Sequence, residues 1–111
     1  MKIALGSSRM EKLWKNRDVS WEVFCKKAGN TIRTAETVAE YRAKKKGEQD
    51  DIKDVGGFVG GHLQEGRRKK GCVLARSMLT LDMDYGKPNI WEKLKGEFPF
   101  KCCVYSTHKH T

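Results

Sequence analysis

The strictest pattern in the chain is an alternation of apolar and polar side chains toward the end of the segment 73–85. Successive side chains of a β-strand point to opposite faces, so this pattern predicts a strand with one apolar and one polar face. The apolar face would carry Leu79, Leu81 and Met83, and the polar face Thr80, Asp82 and Asp84. A sheet is therefore expected to be part of the fold.

Helices are predicted mainly in the first half of the chain and strands mainly in the second. The predicted helices have Ser20 or Thr34 as N-cap, or Pro88 in the first turn. The second of them is expected to end in the basic run 44–46. The other predicted strands are a short one at 2–5, two around a turn after Gly56, and a last one at 98–107.

This order predicts an α+β fold in which an N-terminal helical region packs on a mostly antiparallel sheet. One domain is expected over residues 1–111, with 1–50 mainly helical and 51–111 rich in sheet.

The chain is strongly basic, since 23 lysines and arginines against 14 acidic residues give a formal net charge of +9. A basic excess favours polyanionic partners because each neutralised phosphate releases a counterion. Anionic lipid, an acidic protein surface or simple solubility would fit the same charge. The densest basic cluster, Arg67-Arg68-Lys69-Lys70, lies at a predicted turn. It is interpreted either as a nucleic-acid contact or as the solvated tip of a hairpin.

Neither a membrane span nor a secretory leader is expected. No apolar run approaches the roughly 18 residues that a span needs, and the apolar stretch 3–5 is too short for a signal peptide. We therefore expect a cytoplasmic protein with no membrane partner. In the cytoplasm its thiols would stay reduced. The 4 cysteines form no Cys-x-x-Cys pair, so structural or inert thiols are expected rather than a zinc site.

Asp82 and Asp84 are the residues with the clearest chemical potential. On a strand their Cα atoms would be about 6.5–7 Å apart, with both carboxylates on the same side of the sheet. Two such carboxylates can converge on divalent cations about 3.5–4 Å apart, as in two-metal phosphoryl chemistry. Mg²⁺ or Mn²⁺ would suit these oxygen ligands. An exposed Asp-x-Asp with no function is the alternative.

A second polar group lies at Tyr105-Ser106-Thr107-His108, followed by His110. On a continuing strand, Ser106, His108 and His110 would share a face, and the hydroxyl, imidazole and nearby Lys109 would suit the anionic phosphates of a nucleotide. A frayed C-terminal end is one alternative. A metal site built from His108, His110 and a cysteine is another.

The two motifs in this order resemble those of the archaeo-eukaryotic primase superfamily. Its first motif is a hydrophobic strand that ends in Asp-x-Asp or Asp-x-Glu, as at 79–85, and its second is Ser-x-His, as at 106–108. The glycine-rich segment 52–61 and the segment 76–82 are similar to primase–polymerase domains fused to helicases on phages and mobile elements, including the virulence-associated E group.

The resemblance implies metal-dependent nucleotidyl transfer during DNA replication of a phage or mobile element, on a partial RNA-recognition-motif-like catalytic core. It assigns Asp82 and Asp84 as catalytic ligands of Mg²⁺ or Mn²⁺, and Ser106 and His108 as contacts to the incoming nucleotide. The implied partners are nucleoside triphosphates, a DNA or RNA template, and a helicase domain or a further C-terminal half.

The sequence departs from the superfamily after the second motif. There the catalytic core continues into further strands and a third carboxylate, whereas this sequence ends at Thr111. An upstream acid such as Asp54 or Glu65 would replace that carboxylate only in a different topology. We therefore expect little or no polymerase activity from this chain alone, whether it is a fragment, a remnant or one piece of a split enzyme.

Two other functions remain open from the residues. The chain would be a non-catalytic nucleic-acid-binding module if it keeps the fold and the charge without the chemistry. A small nuclease or rolling-circle initiator, with His108 and His110 as metal ligands, is the weaker alternative, because Lys109 stands where a hydrophobic residue is usual.

Overall fold

The computed structural model describes residues 1–84 and 87–108. The strands are β1 (Lys2–Gly6), β2 (Lys15–Asp18), β3 (Gly57–Val59), β4 (Gly61–Leu63) and β5 (Val73–Arg76). The helices are α1 (Trp21–Ala28), α2 (Val38–Ala43), α3 (Lys46–Ile52) and α4 (Ile90–Glu97), and a 3₁₀ turn follows β4 at Gln64–Gly66. Helices and antiparallel sheets together confirm the predicted α+β class. In the described part of the chain, no helix has the length and apolar character to cross a membrane.

The strands form two antiparallel sheets. The larger has the order β2-β1-β3, and the smaller is the β4–β5 hairpin. Asn16 joins the two sheets, because its side chain donates to the carbonyl of Leu63 at 2.7 Å and accepts from the Leu63 N–H at 2.9 Å. Strand β2 is polar and has no apolar alternation, which explains why the sequence pattern did not predict it.

The core lies between the sheets and is built around Trp14. Trp14 is 7% exposed and forms a buried cluster with Ala4 and Leu63, and the partly buried Val59 packs against this cluster. Gly6 sits against the indole so closely that a Cβ there would overlap the ring. Gly66 has φ 71°, a left-handed conformation that glycine adopts without strain. A chain of this size buries a modest core, so the fit around this tryptophan carries much of the packing.

Helix α1 forms as the sequence predicts. The Ser20 hydroxyl accepts from the N–H of Val23 at 3.1 Å, and the helix ends before Gly29. Phe24 is buried and meets the ring of Phe58 edge-on at 4.9 Å, which packs the helix on β3.

The predicted N-cap at Thr34 is wrong, because α2 begins after Thr37. Thr37 and Glu40 exchange side chain–backbone hydrogen bonds in a capping box, which satisfies two N–H groups at once. The predicted helix does end at the basic run 44–46, since α2 stops at Ala43 with Lys44 as its C-cap, but the run leads directly into a further helix. Lys46 opens α3 and forms an ion pair with Asp50 at 2.7 Å, one helical turn later.

The predicted strand 73–85 is correct only as far as Arg76. Its partner β4 begins at Gly61, and the N–H groups of Ser77 and Met78 both point to the carbonyl of Gly60, which closes the ladder. Residues 77–84 form neither helix nor strand, and residues 98–107 contain no strand. Alternating side chains favour a strand only where a neighbouring strand takes up the backbone hydrogen bonds.

Candidate functional site

Asp82 and Asp84 lie in the irregular, exposed segment 77–84. The strand that would place both carboxylates on a common face stops at Arg76, so Asp82 and Asp84 do not lie on a strand. Three apolar neighbours, expected to form the buried face, are instead 79%, 69% and 51% exposed: Leu79, Leu81 and Met83. The carboxylates are therefore open to water and to a ligand.

Asp82 lies near the second motif. The pKa of Tyr105 is raised chiefly by burial of its phenol, and further by the negative charges of Cys103 and Asp82. Ser106, the next residue, is exposed, whereas His110 lies outside the described residues. Asp82 is the smallest of the three causes of the raised pKa of Tyr105, so its carboxylate lies within electrostatic range of Tyr105, without a hydrogen bond between the two among the described residues.

His108 has a partner that sequence reasoning missed. Its Nε2 lies 3.0 Å from Oε1 of Glu36, and its ring meets Tyr41 edge-on at 4.7 Å. Thr34 donates its hydroxyl to the same carboxylate at 2.6 Å. That hydroxyl is the main cause of the lowered pKa of Glu36, and His108 lowers it further.

The Glu36 carboxylate orients the imidazole, and its own side chain is only 12% exposed. No local pattern links positions 36 and 108, so only the folded chain could identify this pair.

The basic cluster Arg67-Arg68-Lys69-Lys70 is at the turn of the β4–β5 hairpin, as predicted, with all four side chains exposed. It is also held against the loop 9–13. The Arg68 N–H donates to the carbonyl of Lys12 at 3.1 Å, and the Arg68 guanidinium lies 4.9 Å from the centre of the Trp14 ring. Arg67 pairs with Glu65 at 3.0 Å. The cluster is thus the tip of a hairpin, and contacts with the loop 9–13 hold it in place.

The two upstream acids considered as substitute ligands have structural partners. Asp54 accepts from the hydroxyl of Ser8 at 2.8 Å and from the N–H groups of Arg9 and Gly56. These hydrogen bonds, the one from Arg9 first, lower the pKa of Asp54. Glu65 is the partner of Arg67.

Two further observations concern metal ligands. Within residues 1–84 and 87–108, no three His, Cys, Asp or Glu side chains gather closely enough to hold a metal ion. All four cysteines are free thiols. Burial raises the pKa of Cys103, and the neighbouring Cys25 raises it further.

Comparison with known proteins gives one family. The model described as VapE N-terminal domain matches residues 1–111, the full length of the sequence. No curated protein and no solved structure matches the chain.

Proposed function

This chain belongs to the VapE N-terminal domain family, a virulence-associated E domain of phage and plasmid proteins, and we propose that it is part of a primase–polymerase. The proposed reaction is metal-dependent nucleotidyl transfer in the replication of a phage or mobile element. The attacking group would be a 3′-hydroxyl or an initiating nucleotide, the target an α-phosphate, and the leaving group pyrophosphate.

The observation that carries the proposal is the exposure of both carboxylates, Asp82 and Asp84, with Asp82 within electrostatic range of Tyr105. The charge of Asp82 reaches Tyr105, which immediately precedes Ser106. A nucleotide whose phosphates contact both Ser106 and a cation on Asp82 needs these two segments to be neighbours. The resemblance implies a nucleotide held between the two motifs, and the electrostatic range between Asp82 and Tyr105 supports that arrangement.

The donor set fits Mg²⁺ or Mn²⁺. Asp82 and Asp84 offer oxygen ligands, and Mg²⁺ is usually held by one or two carboxylates together with substrate phosphates and water. Two exposed carboxylates meet that requirement without a third protein ligand. The bound cation would lower the proton affinity of the attacking hydroxyl and take up charge on the leaving pyrophosphate.

Ser106 and His108 would bind the incoming nucleotide. The exposed Ser106 hydroxyl is a hydrogen-bond donor for a phosphate oxygen. Glu36 engages Nε2 of His108, which leaves the Nδ1 side of the ring for a phosphate oxygen. The Glu36 carboxylate fixes the orientation of the ring, so that the free ring nitrogen is held in one direction for a phosphate oxygen.

Metal binding tests the proposal, because it is the most direct consequence of the assignment of Asp82 and Asp84 as ligands. Titration calorimetry with Mn²⁺ should show binding to the unaltered chain and its loss in Asp82→Asn/Asp84→Asn. Asp18→Asn, an exposed carboxylate in β2, is the matched control and should bind Mn²⁺ normally. Unchanged Mn²⁺ binding in the double variant would contradict the assignment.

A non-catalytic nucleic-acid-binding module is the second candidate. The observation that favours it is the exposed basic cluster, which is fixed against the loop 9–13 and needs no metal. Such a module would be retained on single-stranded DNA in a salt-dependent manner. Its retention would be the same in Asp82→Asn/Asp84→Asn and would come with no Mn²⁺ binding.

A further inference from the structure

A surface cleft lies between the loop 9–13 and the hairpin turn 67–69. Backbone hydrogen bonds connect these two segments, which are more than fifty positions apart in sequence. Trp14 donates to the carbonyl of Gly66 at 2.7 Å, and Arg68 donates to the carbonyl of Lys12 at 3.1 Å. Leu13 and Arg67 form an antiparallel bridge between these contacts. The cleft is therefore built into the fold.

The lining of the cleft is strongly cationic. It contains five basic side chains, Arg9, Lys12, Arg67, Arg68 and Lys69, and the carboxylate of Glu11. The hydroxyl of Ser7 is the main group that stabilises this carboxylate and lowers its pKa, so Glu11 is occupied within its own loop.

Arg9 and Arg67 also have carboxylate partners, at 2.8 and 3.0 Å. The other three cations form no ion pair among the residues that the structure describes: Lys12, Arg68 and Lys69. An anion in the cleft would meet these three first.

Arg68 is held in place before any ligand arrives. Its guanidinium stacks 4.9 Å from the centre of the Trp14 ring and donates to the carbonyl of Arg9. A cation over an indole is attracted to the face of the ring, and Trp14 is itself nearly buried. Less side-chain freedom is lost when a phosphate binds such a fixed arginine.

Two large apolar side chains lie among the basic side chains of the cleft. Met10 is 74% exposed and Leu13 is 62% exposed, and both line the cleft. A purely ionic partner, such as an acidic peptide, gains nothing from them. A single-stranded nucleic acid carries phosphates and unstacked base faces side by side, so it matches cations and apolar surface together.

We propose that this cleft binds single-stranded nucleic acid, with phosphates on Lys12, Arg68 and Lys69 and bases against Met10 and Leu13. A duplex hides its base faces in the stack and would use the cations alone. The inference rests on the second candidate function and deepens it by assigning the residues and the kind of nucleic acid, and none of these residues belongs to the two motifs around Asp82 and Ser106. It holds or fails independently of the metal site.

Fluorescence anisotropy with labelled single-stranded oligothymidylate tests the proposal on the full chain at several salt concentrations. Lys12→Ala/Lys69→Ala should weaken binding about tenfold and reduce the slope of log K against log salt by about 1.4, which corresponds to two lost phosphate contacts on a single strand. Lys26→Ala/Lys27→Ala on α1 removes the same charge from exposed positions outside the cleft and should change binding by less than about twofold.

Met10→Ser/Leu13→Ser separates the apolar contribution to binding from the ionic one. It should weaken the single strand several-fold and leave a labelled hairpin duplex unchanged. Circular dichroism melting of each variant shows that the fold is intact, as expected for exposed positions.

Several outcomes would overturn the proposal. One is an equal loss of oligonucleotide affinity in the Lys12/Lys69 and Lys26/Lys27 variants. Another is the absence of single-strand binding while polyglutamate or phosphatidylserine vesicles bind through Lys12 and Lys69. Asp82→Asn/Asp84→Asn should bind the oligonucleotide normally, so failure of the metal assignment is distinguishable from failure of this one.

Discussion

Nε2 of His108 lies 3.0 Å from Oε1 of Glu36, across 72 positions of sequence. The contact is partly buried, and the ring of Tyr41 packs edge-on against the imidazole. Because residues 98–107 contain no strand, this side-chain contact is one of the bonds that fix the second motif to the helical part of the chain. The same contact orients the imidazole that we propose for nucleotide binding.

Glu36→Gln should loosen the segment around His108. The amide cannot form the charge-assisted hydrogen bond, so the backbone amides of 103–108 should exchange with deuterium faster than in the unaltered chain. Hydrogen exchange with mass spectrometry gives the measurement. Glu48→Gln in α3 removes an exposed carboxylate and should leave the exchange of these amides unchanged. Identical protection in Glu36→Gln and the unaltered chain would contradict an anchoring role.

Asp54 should make the stability of the chain depend on acidic pH. Its pKa is lowered in the folded state, mainly by the N–H of Arg9 and the hydroxyl of Ser8, so folding favours its ionised form. The stabilisation is therefore present above the unfolded pKa of about 3.9 and is lost as pH falls through the folded value. Thermal melting between pH 7 and pH 2.5 should show Asp54→Asn less stable at neutral pH, with the difference vanishing in acid. A difference that is constant across the range would contradict this linkage.

Gly6→Ala should destabilise the chain because its methyl group would overlap the Trp14 indole. Overpacking of this kind usually costs about 1–3 kcal/mol. Gly47→Ala in α3 is the matched control, since nothing lies within 4 Å of a Cβ at that position. Gly47 lies in the first turn of α3, where alanine should stabilise the helix by up to about 0.5–1 kcal/mol. The urea concentration at the unfolding midpoint should therefore fall in Gly6→Ala and rise in Gly47→Ala. A stabilising effect of Gly6→Ala would be inconsistent with the close packing.

Local signals predicted several elements correctly. Ser20 before an amphipathic segment and Gly29 after it determine α1 through capping alone, and the hairpin with a basic turn follows from its glycines. The N-cap of α2 could not be chosen by residue type, because Thr34 and Thr37 are both threonines. The difference is Glu40, which stands at the right spacing to complete a capping box with Thr37.

The non-local features could not be predicted in this way. Apolar alternation at Leu79 and Leu81 describes a sequence suited to a strand, but a strand also needs a partner, and the β4–β5 ladder closes at Gly60. The pairing of Glu36 with His108 and the closure of the cleft at Lys12 and Arg68 depend on tertiary contacts between distant segments. The candidate residues could therefore be recognised from their residue types, whereas the residues that contact them in the folded chain could not be predicted.

Cys102 and Cys103 should react at different rates although they are adjacent. Cys102 is exposed, whereas burial and the nearby Cys25 raise the pKa of Cys103 and so reduce its thiolate fraction. In Cys103→Ser the remaining Cys102 should be alkylated quickly by iodoacetamide at pH 8, and in Cys102→Ser the remaining Cys103 should be alkylated slowly. Mass spectrometry of the segment gives both rates, and urea should abolish the difference. Equal rates in the folded chain would mean that the C-terminal segment does not pack on α1 beside Cys25.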